Sequence, residues 1–242
     1  MGGVCRLKLK INPLQGESRP MATNQQVLTR PSESELATNK VLRNTYALLS
    51  MTLLFSAAAA AFAIVSNAPP LHWLAVIGGY FGLLFLTQAT RNSGWGILSV
   101  FALTGFMGFT LGPILSLYLS MPGGSEIVMT SLAGTGAIFL GLSAYALTTR
   151  KDFSFMGGML MAGMLVIFLA MLGNLFFQIP ALSLALSAAV IMLMAGFILY
   201  QTSAIIHGGE TNYITATVTL YVAIYNIFTS LLHILGIFGG DD

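Results

Sequence analysis

Seven long apolar runs divide this chain, and every Lys and Arg lies either ahead of or at the very start of the first run, or on alternate connections between them. The ten basic residues are Arg6, Lys8, Lys10, Arg19, Arg30, Lys40, Arg43, Arg91, Arg150 and Lys151. A bilayer core of about 30 Å needs roughly 20 apolar residues per helix. The runs meet that length near 43–66, 71–90, 95–120, 126–148, 156–178, 181–206 and 214–238. They are continuously apolar rather than alternating, so helices that close their own backbone hydrogen bonds are expected, not barrel strands. The expected class is an all-α membrane protein, a seven-helix transmembrane bundle over 41–242. The basic bias puts the N-terminus in the cytoplasm. An odd number of spans then puts the C-terminus on the periplasmic side, unless the seventh segment is re-entrant and returns.

Composition leads to the same class, because 56% hydrophobic and 7% charged residues give no water-soluble surface at this length. Residues 1–40 differ. They hold six of the ten basic residues together with Pro13, Pro20 and Pro31, and read as a disordered cytoplasmic tail. Met21 is an alternative start, which would remove Cys5, the single cysteine. No apolar core follows the basic start before residue 41, so the first span is expected to act as an uncleaved targeting signal. The net charge of +2 comes from the tail and two loops, not from a folded basic face, and nucleic acid is not an expected partner; the lipid bilayer is.

Small residues let helices approach where lipid supplies no hydrophobic drive for association. In the third span Gly108 and Gly112 form a GxxxG, with Gly96 upstream and Pro113 directly after. This set reads as a packing seam with a kink beyond it. Gly157, Gly158 and Gly163 give the fifth span a similar thin face.

The run Gly96-Ile97-Leu98-Ser99, followed after eight residues by Gly108-x-x-Leu111-Gly112-Pro113-Ile114-Leu115, resembles the signature of the Bax inhibitor-1 family of seven-helix membrane proteins. Lys40-Val41-Leu42-Arg43-Asn44-Thr45-Tyr46, Leu147-Thr148-Thr149-Arg150-Lys151-Asp152 and His207-Gly208-Gly209-Glu210-Thr211-Asn212-Tyr213 are similar to its proteobacterial branch. The resemblance implies a bacterial inner-membrane, multi-pass protein that modulates an FtsH-type AAA protease while being its slow substrate, in company with that protease's associated membrane proteins. A tail would suit such a partner, since 20 extended residues reach about 66–72 Å. Other members of the family are described as pH-sensitive calcium leak channels that rely on an aspartate pair in spans six and seven. The matching positions here are Gln201 and Ala223, which do not titrate, and this disfavours the channel or transporter reading.

The polar residues left inside spans include Gln201, Asn226 and Asn174, with Gln178 at a span end. They are candidates for a central cavity, against the alternative of hydrogen-bonded glue between helices. Arg150, Lys151, Asp152, His207 and Glu210 are candidates for a cytoplasmic contact, although helix-end electrostatics explains the last two. His72 and His233 belong to the opposite side from His207 and Glu210, so no catalytic zinc set converges. No HExxH, GxSxG or P-loop pattern occurs, and neither enzyme activity nor a cofactor is expected. Glu126 is expected at the start of span four, and Trp73 and Trp95 as interfacial anchors.

Overall fold

The connections between apolar runs are too short to do more than reverse the chain. The computed structural model describes residues 33–239 as seven helices: α1 Glu33–Val65, α2 Trp73–Thr90, α3 Trp95–Leu119, α4 Gly124–Thr149, α5 Met156–Phe177, α6 Pro180–Ile206 and α7 Tyr213–Phe238. All seven are long and apolar enough to cross a membrane. Helix boundaries follow the hydropathy runs within two residues except at the start of α1. There the helix begins at Glu33, so residues 33–40, assigned above to the tail, are helical. Glu, Leu, Ala and Lys in this stretch are good helix formers, and a helix already nucleated in the span extends outward over them at little cost. The rest of the expected tail, with Met21 and Cys5, lies outside the described residues. The seventh segment is one continuous helix of 26 residues, about 39 Å long, rather than a broken re-entrant pair.

Helix α7 forms the centre. It packs against α1, α3, α4 and α6, whereas α2 packs on α3 and α5 on α6 at the rim. Twelve residues of α7 are buried, against one in α2 (Thr87) and one in α5 (Leu160). The main cluster gathers Leu48 and Leu49 of α1, Val100, Leu103 and Met107 of α3, Phe139 of α4, Ile198 of α6, and Leu220, Tyr221 and Ile224 of α7.

Two devices hold α1, α3 and α7 together. The first is the glycine seam. A Cβ on Gly108 would run into the Ser56 carbonyl oxygen of α1, and one on Gly112 into the Cβ of Ala63 and, at 3.0 Å, the Ala60 carbonyl. Gly96 performs the same service for α7, where a Cβ would stand 2.5 Å from Ile214 Cδ1. The packing-seam reading of Gly96, Gly108 and Gly112 therefore has a geometric cause. Pro113 lies inside α3 and leaves the Phe109 carbonyl without its helical donor.

The second device is the Tyr221 hydroxyl. It donates to the Thr104 carbonyl of α3 at 3.2 Å, while the Ser56 hydroxyl of α1 lies 2.6 Å away and donates to it. Tyr221 is 1% exposed, so one phenol closes a three-helix junction in the interior.

Gly108→Val should lower stability by about 1–3 kcal/mol, because the atom in its way is backbone and cannot step aside. Gly136→Ala, where an added Cβ meets nothing, should leave stability unchanged or raise it by about 0.5–1 kcal/mol. Tyr221→Phe should cost about 1–2 kcal/mol by stranding a buried carbonyl and a serine hydroxyl. Denaturant or thermal unfolding in a mild detergent measures all three.

Candidate functional site

The five described basic residues share one end of the bundle. Lys40 and Arg43 precede Thr45, whose carbonyl accepts from Thr217 Oγ1 near the start of α7 at 3.3 Å. Arg91 and Arg150–Lys151 sit on connections that meet the α6–α7 connection directly. Asn212 caps α7, its Oδ1 accepting from the Ile214 and Thr215 amides at 2.9 and 3.2 Å. Its Nδ2 donates to the Arg91 carbonyl at 3.1 Å and to Asn92 Oδ1 at 2.9 Å. Glu210 Oε1 accepts from the Asn212 amide at 2.8 Å. The α2–α3 and α6–α7 connections are thereby one hydrogen-bonded unit.

The α4–α5 connection is tied in through α6. Arg150, in the left-handed region at φ 49°, ends α4. Ser203 Oγ donates to the Lys151 carbonyl at 3.1 Å and accepts from the Phe153 amide at 3.0 Å. His207, at the end of α6, lays Nδ1 2.9 Å from the Ser203 carbonyl and Nε2 3.1 Å from the Arg150 carbonyl. A ring with a proton on each nitrogen donates to both carbonyls; a neutral ring donates to one. The connection is held by its backbone, and the side chains of Arg150, Lys151 and Asp152 stay exposed. Asp152 accepts from the Ser154 amide at 2.9 Å. Hydrogen bonding by the Ser154 hydroxyl first, then by that amide, with His207 adding attraction, holds its carboxyl below the usual carboxylate range.

Arg150, Lys151, Asp152, His207 and Glu210 therefore come to one surface, knit together by Ser203 and Asn212. The two knitting residues are quiet in hydropathy. Ser203 sits three residues from the end of an apolar run, and Asn212 carries the one legible signal, a polar residue directly before a helix start.

The candidates for a central cavity do not converge. Gln201 lies one to two turns inside the basic end, 6% exposed, with Nε2 unpaired. Asn226 donates to the Val222 carbonyl of its own helix at 2.8 Å. Asn174 belongs to the opposite end, where Oδ1 accepts from the Ile179 amide at 3.1 Å across the α5–α6 turn and Gln178 takes the left-handed cap. Residues 180 and 201 of α6 alone are about 32 Å apart along the helix. Ala223 is buried. Among the described residues no three His, Cys, Asp or Glu side chains gather as a metal site. Glu126 stands in the first turn of α4 and His72 caps α2. Trp73 and Trp95 open α2 and α3 with largely exposed rings.

Sequence comparison places this architecture in a family. The family described as "Inhibitor of apoptosis-promoting Bax1" matches residues 38–240, which takes in all seven spans. This chain belongs to the Bax inhibitor-1 family. It is 55% identical over 208 residues to the protein named "Modulator of FtsH protease YccA" in Escherichia coli strain K12, covering 86% of this chain and 94% of that one. The counterpart in E. coli O6:H1, at the same identity, is named "Inner membrane protein YccA". An uncharacterised protein of Pseudomonas aeruginosa is 55% identical over 202 residues, covering 84% of this chain and 91% of its own length. With seven span-length helices, the Bax inhibitor-1 protein described here is a multi-pass protein of the inner membrane.

Acidification should loosen the α4–α5 connection. Because the folded-state value of Asp152 is lowered, its tie is fully formed above the ordinary value of 3.8 and is lost as pH falls through the lowered one. The Ser154 amide proton, followed by NMR in detergent, should titrate with a midpoint below 3.8, and Asp152→Asn should abolish that titration.

Proposed function

We propose that this protein is a modulator of an FtsH-type membrane AAA protease, and that it acts without catalysis of its own. The observation that carries the reading is the 55% identity, along nearly the whole of both chains, to a protein named for that role. In this reading the basic end faces the cytoplasm and the Gly239 end the periplasm, as the positive-inside rule requires.

The mechanism is occupancy. The tail ahead of α1 engages the protease from the cytoplasm, and the exposed heads of Arg150, Lys151 and Asp152 lie on the same surface. Helices of the bundle meet the membrane part of the protease and its associated membrane proteins. Pulling on the N-terminus loads α1 first. That helix is locked to α3 by the glycine seam and to α7 by Tyr221, so extraction must break the core before anything is released. A chain that resists in this way holds the protease while other clients wait. The calcium-leak alternative loses its basis because Gln201 and Ala223 carry no titrating group.

Affinity purification of the full chain from native membranes in mild detergent should enrich an FtsH-type protease, and a form lacking residues 1–32 should lose most of it. Recovery of no protease, under conditions that retain other membrane complexes, would overturn the reading. So would a pH-dependent calcium flux through the purified protein in liposomes that accounts for its cellular effect. Gly108→Val should be degraded several-fold faster than the parent chain, because a loosened α1–α3 contact resists pulling less.

A further inference from the structure

Both ring nitrogens of His207 face backbone carbonyls. Nδ1 stands 2.9 Å from the Ser203 carbonyl of its own helix and Nε2 3.1 Å from the Arg150 carbonyl at the end of α4. A carbonyl only accepts, so each contact is a hydrogen bond only where the facing nitrogen carries a proton. The other two of the chain's three histidines, His72 at the start of α2 and His233 near the end of α7, belong to the opposite end of the bundle.

The Ser203 hydroxyl supplies one further proton to the same group of atoms. It lies 3.1 Å from the Lys151 carbonyl and 3.3 Å from His207 Nδ1. A doubly protonated ring donates to the Ser203 and Arg150 carbonyls and leaves the hydroxyl to Lys151, so every contact is satisfied. Loss of one ring proton breaks this in both tautomers. With the remaining proton on Nδ1, the Arg150 carbonyl faces a lone pair. With it on Nε2, the Nδ1 lone pair faces the Ser203 oxygen at 2.9 Å, a repulsion relieved when the hydroxyl turns to Nδ1 and lets go of Lys151. In each case the α4–α5 connection gives up one of the hydrogen bonds that tie it to α6 through Arg150, Lys151 and Phe153.

The surroundings leave histidine as the group that changes. The charged and titratable residues on the elements around the ring are Arg150, Lys151 and Asp152 on the α4–α5 connection, Glu210 on the α6–α7 connection, Tyr145 on α4, Tyr213 on α7 and Tyr46 on α1. Of these residue types together with histidine, only histidine ordinarily changes charge between about pH 5 and 8. Asp152 attracts the charged ring, and the last carbonyls of a helix favour a positive charge beside them. His207 is exposed, so its protons exchange directly with water.

We propose that His207 is a proton-operated latch, whose second ring proton closes the α4–α5 connection onto the end of α6 and whose loss releases it. The latch sets how firmly the exposed side chains of Arg150, Lys151 and Asp152 are held, whatever partner meets them. It acts in the opposite sense to the Asp152–Ser154 tie, which is lost in acid below 3.8, so the connection is held best in mildly acidic solution. Ser203 is a positioning residue, because its hydroxyl chooses between Lys151 and the ring.

The test is hydrogen exchange followed by NMR on the full chain in mild detergent, at about pH 5.5 and about pH 8.0. It reads the Phe153 amide, which donates to Ser203 Oγ, relative to its intrinsic exchange rate, together with the nitrogen shifts of the His207 ring. The amide should be several-fold better protected at the lower pH, with the ring carrying two protons there and one at the higher pH. His207→Gln and His207→Phe, which cannot change charge, should show equal protection at both, whereas Asp152→Asn should keep the difference. Equal protection in the parent chain at the two pH values would overturn the proposal, as would a difference that survives in both His207 variants. So would a difference that vanishes in Asp152→Asn while the ring still titrates. A parent ring that holds the same number of protons at both pH values would overturn it even where the variants fail to fold.

Discussion

In a hydrocarbon solvent the approach of two helices gains nothing from removing apolar surface from water, so their contact depends on how close the backbones come. Here that approach is set where α3 meets α1, with Gly108 against the Ser56 carbonyl and Gly112 against Ala60 and Ala63. Once the two backbones touch, Ser56 is in place to donate to Tyr221, and Tyr221 reaches Thr104. The position of α7 thus depends on the absence of two side chains on α3. Polar and steric terms act together: the seam sets a distance that the hydrogen bonds then require.

The two ends of the bundle use polar atoms differently. At the basic end, side chains of Ser203, His207, Asn212 and Glu210 pair with backbone groups of neighbouring connections. Those bonds fix the connections, which present the charges of Arg150, Lys151 and Asp152 on a rigid base. At the opposite end the α5–α6 turn is only residues 178–179, and α5 has a single buried residue. A cleft beside it is lined by Asn174, Gln178 and His233.

Hydropathy made the spans legible because a helix in lipid must be apolar for the full thickness of the core, whatever its neighbours. The start of α1 was not, since the helix extends over residues 33–40 by propensity and continuity with the span, and residues 36–40 are exposed or half-buried. The glycine seam was legible because only the smallest residues allow backbone contact. Side-chain placement within spans was harder. Asn174, Gln201 and Asn226 look alike as polar residues in apolar runs, yet depth and rotation send them to a turn, a buried layer and a helix's own carbonyl. The Ser187–His233 contact gave no sequence signal, because its partners are 46 residues apart and serine is unremarkable in a transmembrane helix.

The helix at the centre of this fold is also the last of the seven to be made. Until α7 leaves the ribosome, α1, α3, α4 and α6 have no common partner, and the Ser56 hydroxyl has no phenol to meet. For most of its synthesis the chain is therefore an open ring of inserted helices with unpaired polar groups, the kind of surface that folding intermediates present to chaperones and proteases. Assembly ends in one late step, when a single helix threads the gap and joins the first third of the chain to the last. A nascent copy stalled before residue 213 would be incomplete at its core rather than at its edge. Such a chain is at its most vulnerable during biosynthesis and gains its resistance all at once.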